Sequence, residues 1–229
     1  MGDKVEFAAN GTTANGYLAE PAGEGPFPGV VVLQEWWGLV PEIEGVCDRF
    51  AGEGFVALAP DLFHGETTDQ PDEAQQKLMA LSMDEAEKEM RGAVRFLLDH
   101  PKNNGQVGSV GFCMGGGLSV WAAATNPDIG AAVTYYYVMP HGKPDFSQIQ
   151  APVQGHFGTA DDFISVDDAK ALEEEIRAGG NEVEFHFYEG AGHAFSNEEN
   201  RIGTYNPEHA KTAWGRTVDF FKKHLSRRA

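Results

Sequence analysis

The chain has 229 residues but only two cysteines, too few for a disulfide framework. No run of about 18 apolar residues is present to cross a bilayer. The opening MGDKVEF lacks the charged-then-apolar pattern of an export signal. Basic residues are scarce, 17 against 35 acids, for a formal charge of −18. So acidic a surface repels phosphate backbones and anionic lipids, which argues against nucleic-acid or membrane partners. CxxC, HExxH and paired-histidine spacings are missing, so no metal is expected. No GxGxxG lies between a strand and a helix, so no dinucleotide or other cofactor is expected either. Repeats, low-complexity tracts and linkers are also lacking. The expectation is one domain over 1–229, soluble and cytoplasmic, a monomer or small homo-oligomer. With 41% apolar and 23% charged residues, it can bury a core without staples.

Strand and helix patterns alternate along the chain. KVEFAANGTTANGYLAEP reads as an edge hairpin around Asn-Gly turn signals. PGVVVLQ, FVALAP, GQVGSVGFC, AAVTYYY, APVQGHFG and EVEFHFY are apolar or β-branched runs, as expected for strands covered on both faces. Helical patterns run from Pro41 to about Glu53, through DEAEKEMRGAVRFLLDH, from Leu118 to Thr125, from Asp167 to Ala178 and from Pro207 to His224. His64 to Met83 reads as polar and irregular. Such alternation implies an α/β fold with a mostly parallel sheet, helices on both faces and no separate lid domain.

The two cysteines differ in setting. Cys47 lies within a helical pattern and reads as a small buried apolar side chain. Cys113 stands in Gly111-Phe112-Cys113-Met114-Gly115, between a buried strand and a helix. This is a G-x-nucleophile-x-G turn, whose tight backbone leaves no room for side chains at either flank. A helix N-terminus favours thiolate over thiol, and the Met114 amide points where an oxyanion would form. In this topology an acid and then a histidine follow the nucleophile. Among eight histidines, His64 and His100 come too early, His224 is in the last helix, and His156 and His186 lie inside strands. His193, in the glycine-rich EGAGHAF after the last strand, is the candidate base. GTADDF supplies the acid, Asp161 preferred and Asp162 its rival as either triad member or helix cap. Glu35 ends a buried strand and precedes Trp36, whose amide is the second candidate oxyanion donor.

VVVLQEWWGL, ALAPDLFHG, VGSVGFCMGGG, GTADDF and EGAGHAF, in that order, resemble the dienelactone hydrolase (carboxymethylenebutenolidase) family of α/β-hydrolases. The resemblance implies a Cys113–Asp161–His193 triad, an oxyanion hole from the Trp36 and Met114 amides, and Glu35 engaging the resting thiol and aiding its deprotonation. It implies hydrolysis of a small-molecule ester or lactone through an acyl-enzyme. The alternatives are thioester or general carboxylester hydrolysis on the same triad, or a non-catalytic binding role. Family enzymes hold a substrate carboxylate with two arginines. Here one position is Asn197, and between Gln70 and Leu78 the only basic residue is Lys77, leaving Arg201 further along the His193 loop. The expected pocket is aromatic and suited to a neutral ester, drawing on Trp37, Tyr135, Tyr136, Phe195 and Asn197.

Overall fold

The computed structural model describes residues 1–226. Strands β1 (Asp3–Ala9) and β2 (Thr12–Ala19) form the expected hairpin. Asn10 and Gly11 both take positive φ, 47° and 98°, the turn conformation whose twist matches that of the flanking strands. Six more strands follow: β3 (Phe27–Leu33), β4 (Val56–Pro60), β5 (Asn103–Phe112), β6 (Ile129–Tyr135), β7 (Val153–Gly158) and β8 (Val183–Tyr188). All eight join one sheet, ordered β1-β2-β4-β3-β5-β6-β7-β8. β1, β2 and β4 pair antiparallel, and every pairing from β4 to β8 is parallel. This is the α/β architecture with a mostly parallel sheet that the sequence implies.

The helices are α1 (Pro41–Gly52), α2 (Pro71–Ala80), α3 (Met83–Leu98), α4 (Met114–Thr125), α5 (Val166–Ala178) and α6 (Pro207–His224). Alternate side chains of each central strand enter different cores. Val31 and Leu33 pack with Met90, Val94 and Leu97 of α3, Leu118 of α4 and Ile176 of α5. Val30 and Val32 pack with Ile43 and Phe50 of α1 and Phe221 of α6. Both faces are thereby covered, which is why these strands carry no alternating polar positions. Among the described residues no helix is long and apolar enough to cross a membrane.

Two sequence readings need correction. The stretch read as irregular contains α2, which buries only Ala74 and Leu78; two inward residues leave almost no helical periodicity to detect. α4 starts at Met114, not Leu118, and runs straight through Gly115, Gly116 and Gly117. A Cβ at Gly116 would come 2.6 Å from the Tyr135 carbonyl oxygen. The glycines let the helix press against the strands beneath it.

Candidate active site

The site is assembled at the C-terminal ends of the parallel strands. β5 ends at Phe112, and Cys113 turns the chain into α4 with φ 55° and ψ −117°. Such a backbone conformation is rare for a residue with a side chain and must be imposed by its surroundings. Here the Cys113 amide donates to the Tyr135 carbonyl at 3.1 Å, and the Val138 amide donates to the Cys113 carbonyl at 3.2 Å. A Cβ at Gly111 would lie 1.8 Å from the Gly115 carbonyl oxygen, and one at Gly115 would lie 2.2 Å from that of Leu33. Only glycine fits on either side of the cysteine.

The sulfur is buried, and the amides of Met114 and Trp36 hydrogen-bond to it. These two donors favour the thiolate, but burial first and the Glu35 charge second push the thiol well above its ordinary value. The resting group is therefore S–H. This departs from the thiolate expected of a helix N-terminus alone, because a terminal dipole of about 1 kcal/mol cannot offset desolvation of an anion beside a carboxylate.

His193 follows β8 in the glycine-rich loop. Its Nδ1 faces Asp161 Oδ2 at 2.8 Å and Oδ1 at 3.1 Å. Asp161 Oδ1 also accepts from the amides of Phe163 (2.7 Å) and Ile164 (3.1 Å), which fixes the carboxylate before the imidazole reaches it. Since Asp161 accepts, Nδ1 carries the hydrogen and Nε2 is left as an acceptor. Nε2 is buried with no hydrogen-bond partner among the described residues. The neighbouring Ala194 has φ 58°, so this loop is constrained as well. Asp162 is exposed, and Ser165, not Asp162, caps α5 by accepting from the Asp168 amide.

Glu35 is 3% exposed. Its Oε1 accepts from the Tyr136 hydroxyl at 3.3 Å and its Oε2 from Asn197 Nδ2 at 2.7 Å. Burial raises its carboxyl above the ordinary range, opposed by these hydrogen bonds and by His193 and Arg201. A second carboxyl, Glu42 at the start of α1, lines a small cavity together with Glu35. Its Oε1 accepts from the Glu198 amide, while Oε2 is buried without a partner among the described residues. Burial, then the charges of Glu35 and Glu199, push it up to about 8. At neutral pH one carboxyl of this pair keeps its proton.

A second, narrow cavity is lined by Cys113, His193, Trp36, Trp37, Asn197 and Arg201 among others. Of the five expected pocket residues, Trp37 and Asn197 are here. Tyr136 borders the site, its hydroxyl on Glu35 and its ring edge-on to that of His193 with centroids 5.0 Å apart. Tyr135 points into the core instead, its hydroxyl 2.7 Å from that of Thr217. Phe195 is wholly buried, packed on Tyr188 with ring centroids 4.9 Å apart. Tyr135 nonetheless borders the cavity shared by Glu35 and Glu42, whereas Phe195 lines neither cavity. His156 is structural as expected, hydrogen-bonded to the hydroxyls of Tyr188 and Thr217, and burial pushes its imidazole well below the usual range.

Phe163, Ile202 and Glu42 escaped the sequence reading. Phe163 is 54% exposed yet its ring centroid lies 4.3 Å from that of His193 and 6.0 Å from that of Trp36. An exposed phenylalanine beside the acid loop was the available signal. Lys77 is ion-paired with Glu66, and Arg201 reaches the cavity with its charge paired to Glu199.

Known proteins resemble this chain along nearly its whole length. The sequence model of the dienelactone hydrolase family matches residues 14–225. "Protein usf" of Aquifex pyrophilus is 38% identical, covering 99% of this chain and 100% of its own. A "Putative carboxymethylenebutenolidase" of Aquifex aeolicus is 35% identical, covering 98% and 100%. The crystal structure of a "Putative Dienelactone Hydrolase" from Klebsiella pneumoniae is 26% identical over 97% of this chain and 99% of that one, with a TM-score of 0.85. Fold, sequence and the chemistry gathered at the strand ends agree: the chain belongs to the dienelactone hydrolase family and is an ester- or lactone-hydrolysing enzyme.

Proposed function

We propose that the hydrolase works through a covalent thioester on Cys113. The carrying observation is the placement of His193: Nδ1 is anchored on Asp161, and the unpaired, buried Nε2 belongs to the cavity that Cys113 lines. An anchored imidazole with a free acceptor nitrogen is what a general base requires.

In the resting enzyme the sulfur occupies the space beside the Met114 and Trp36 amides. A substrate carbonyl oxygen entering that space takes over both hydrogen bonds and displaces the sulfur. The thiol proton passes to the Glu35 carboxylate, whose raised proton affinity suits it to the task. The sulfur attacks the carbonyl carbon, and the two amides hold the resulting oxyanion; each such donor contributes about 3 kcal/mol to the transition state. Collapse breaks the C–O bond, and the proton held on Glu35 passes to the departing oxygen, releasing the alcohol or opening the lactone. His193 then removes a proton from water as it attacks the thioester, Asp161 holding the imidazolium that forms. The carboxylic acid leaves and the thiol is restored. A nucleophile of this kind must stay reduced, which fits a cytoplasmic location.

Turnover of a neutral aryl ester, with intact-mass analysis of the quenched enzyme, tests the reading. His193→Ala is expected to accumulate the acyl adduct on Cys113, while Cys113→Ala forms none and loses turnover. Full activity in Cys113→Ala overturns the mechanism.

A further inference from the structure

The cavity beside Cys113 holds two side-chain atoms that the mechanism does not use. Asn197 is 3% exposed, and its amide orientation is set by Glu35: a carboxylate only accepts, so Asn197 must present Nδ2 to it. Oδ1 is consequently left as an acceptor, buried and without a partner among the described residues. Arg201 stacks over Trp37 with Cζ 5.6 Å from the ring, and its outer guanidinium nitrogen pairs with Glu199. Its Nε is a donor, likewise buried and unpartnered among the described residues. Both residues line the cavity with Cys113 and His193. Buried polar groups are rarely left unpaired unless something arrives to pair them.

We infer that the substrate is a neutral ester or lactone carrying a hydroxyl near its reacting carbonyl, accepting from Arg201 Nε and donating to Asn197 Oδ1. This names the substrate class for the cysteine-hydrolase reading and rests on it. Other groups fit less well. A carboxylate has no hydrogen for Asn197 Oδ1, and the one cation it would meet is already paired with Glu199, with Glu35 close behind. An ammonium has nothing to accept the Arg201 hydrogen and meets a like charge. A hydrocarbon leaves both atoms unpaired. A hydroxyl both gives and takes a hydrogen bond, and Trp36, Trp37 and Ile202 cover the apolar remainder.

The test uses two matched sets. In the first, phenyl lactate is compared with phenyl propionate and with the monophenyl ester of succinic acid. In the second, γ-hydroxymethyl-γ-butyrolactone is compared with γ-methyl-γ-butyrolactone. Each kcat/KM is divided by the hydroxide-catalysed rate to remove intrinsic reactivity. The hydroxylated member is expected to be preferred by about tenfold or more in at least one set, with the anionic ester slowest. Arg201→Met and Arg201→Lys should both bring that preference to within about twofold, because lysine keeps the charge but has no donor at the Nε position. No preference in either set, or a preference unchanged in both variants, overturns the proposal. If Cys113-dependent hydrolysis persists without the preference, the substrate class falls and the catalytic reading stands. If no substrate is turned over in a Cys113-dependent way, both fall.

Discussion

Cys47 and Cys113 are 0% and 4% exposed, and burial is the first cause raising both thiols. Their neighbours differ. Cys47 sits midway along α1, where the Asp48 and Glu44 charges further disfavour ionisation and a hydrogen bond with the Ala59 backbone is the one opposing influence. Cys113 sits on a strained turn, with two backbone amides at the sulfur, Glu35 close by and His193 lining the same cavity. Burial alone therefore does not separate the two thiols. The separation lies in whether amides wait for the negative charge and whether a base waits for the proton.

Replacing each sulfur breaks the comparison most directly. Cys113→Ala should lower kcat for an aryl ester by roughly 10⁴-fold, whereas Cys47→Ala should leave it within about twofold. Backbone room around the two sites gives the next contrast. Gly111→Ala places a methyl 1.8 Å from the Gly115 carbonyl oxygen, while Gly45→Ala in α1 meets nothing within 4 Å. In urea denaturation the first should cost about 3 kcal/mol or more, and the second should gain about 0.5–1 kcal/mol. Iodoacetamide at neutral pH should modify native Cys113 at least about tenfold faster than Cys47, read by peptide mass mapping. Equal rates would show that the amides and Glu35 confer no reactivity.

The smallest effect concerns the carboxyl pair behind Cys113. Glu42 has a folded-state value of about 8, above its ordinary 4.5, so the folded protein holds an extra proton between those pH values. Its contribution to stability is full below about pH 4.5 and is lost as pH rises through 8. Glu42→Gln has no proton to lose there. Its fall in Tm between pH 6 and pH 9 should be smaller than that of the wild type by roughly 2–4 °C. An unchanged fall would place the titration elsewhere.

The strand runs were legible because a strand covered on both faces must be apolar at consecutive positions, as in Val30 to Leu33. Asp161 was narrowed to one of two residues by its place after β7, and the hydrogen bond to His193 distinguishes it from Asp162. α2 was invisible, since only two of its side chains face inward. Phe195 was misplaced because an aromatic residue in the loop of the base can serve the core as well as a pocket, and here it is wholly buried. Glu42, 7 residues beyond Glu35 in the chain, carries no local signature of the cavity that they share.

The sequence by itself determined the sheet, the glycine-flanked cysteine turn, and the order in which acid and histidine return to it. Those features depend on local sterics and on periodic burial, both written in neighbouring residues. Only the tertiary structure decided the charge state of the Cys113 thiol, the pairing of Glu35 with Asn197 and Tyr136, and the unpaired polar atoms of the cavity-lining Asn197 and Arg201. Each of these depends on desolvation and on contacts between residues up to 162 positions apart, and no local pattern encodes such energies.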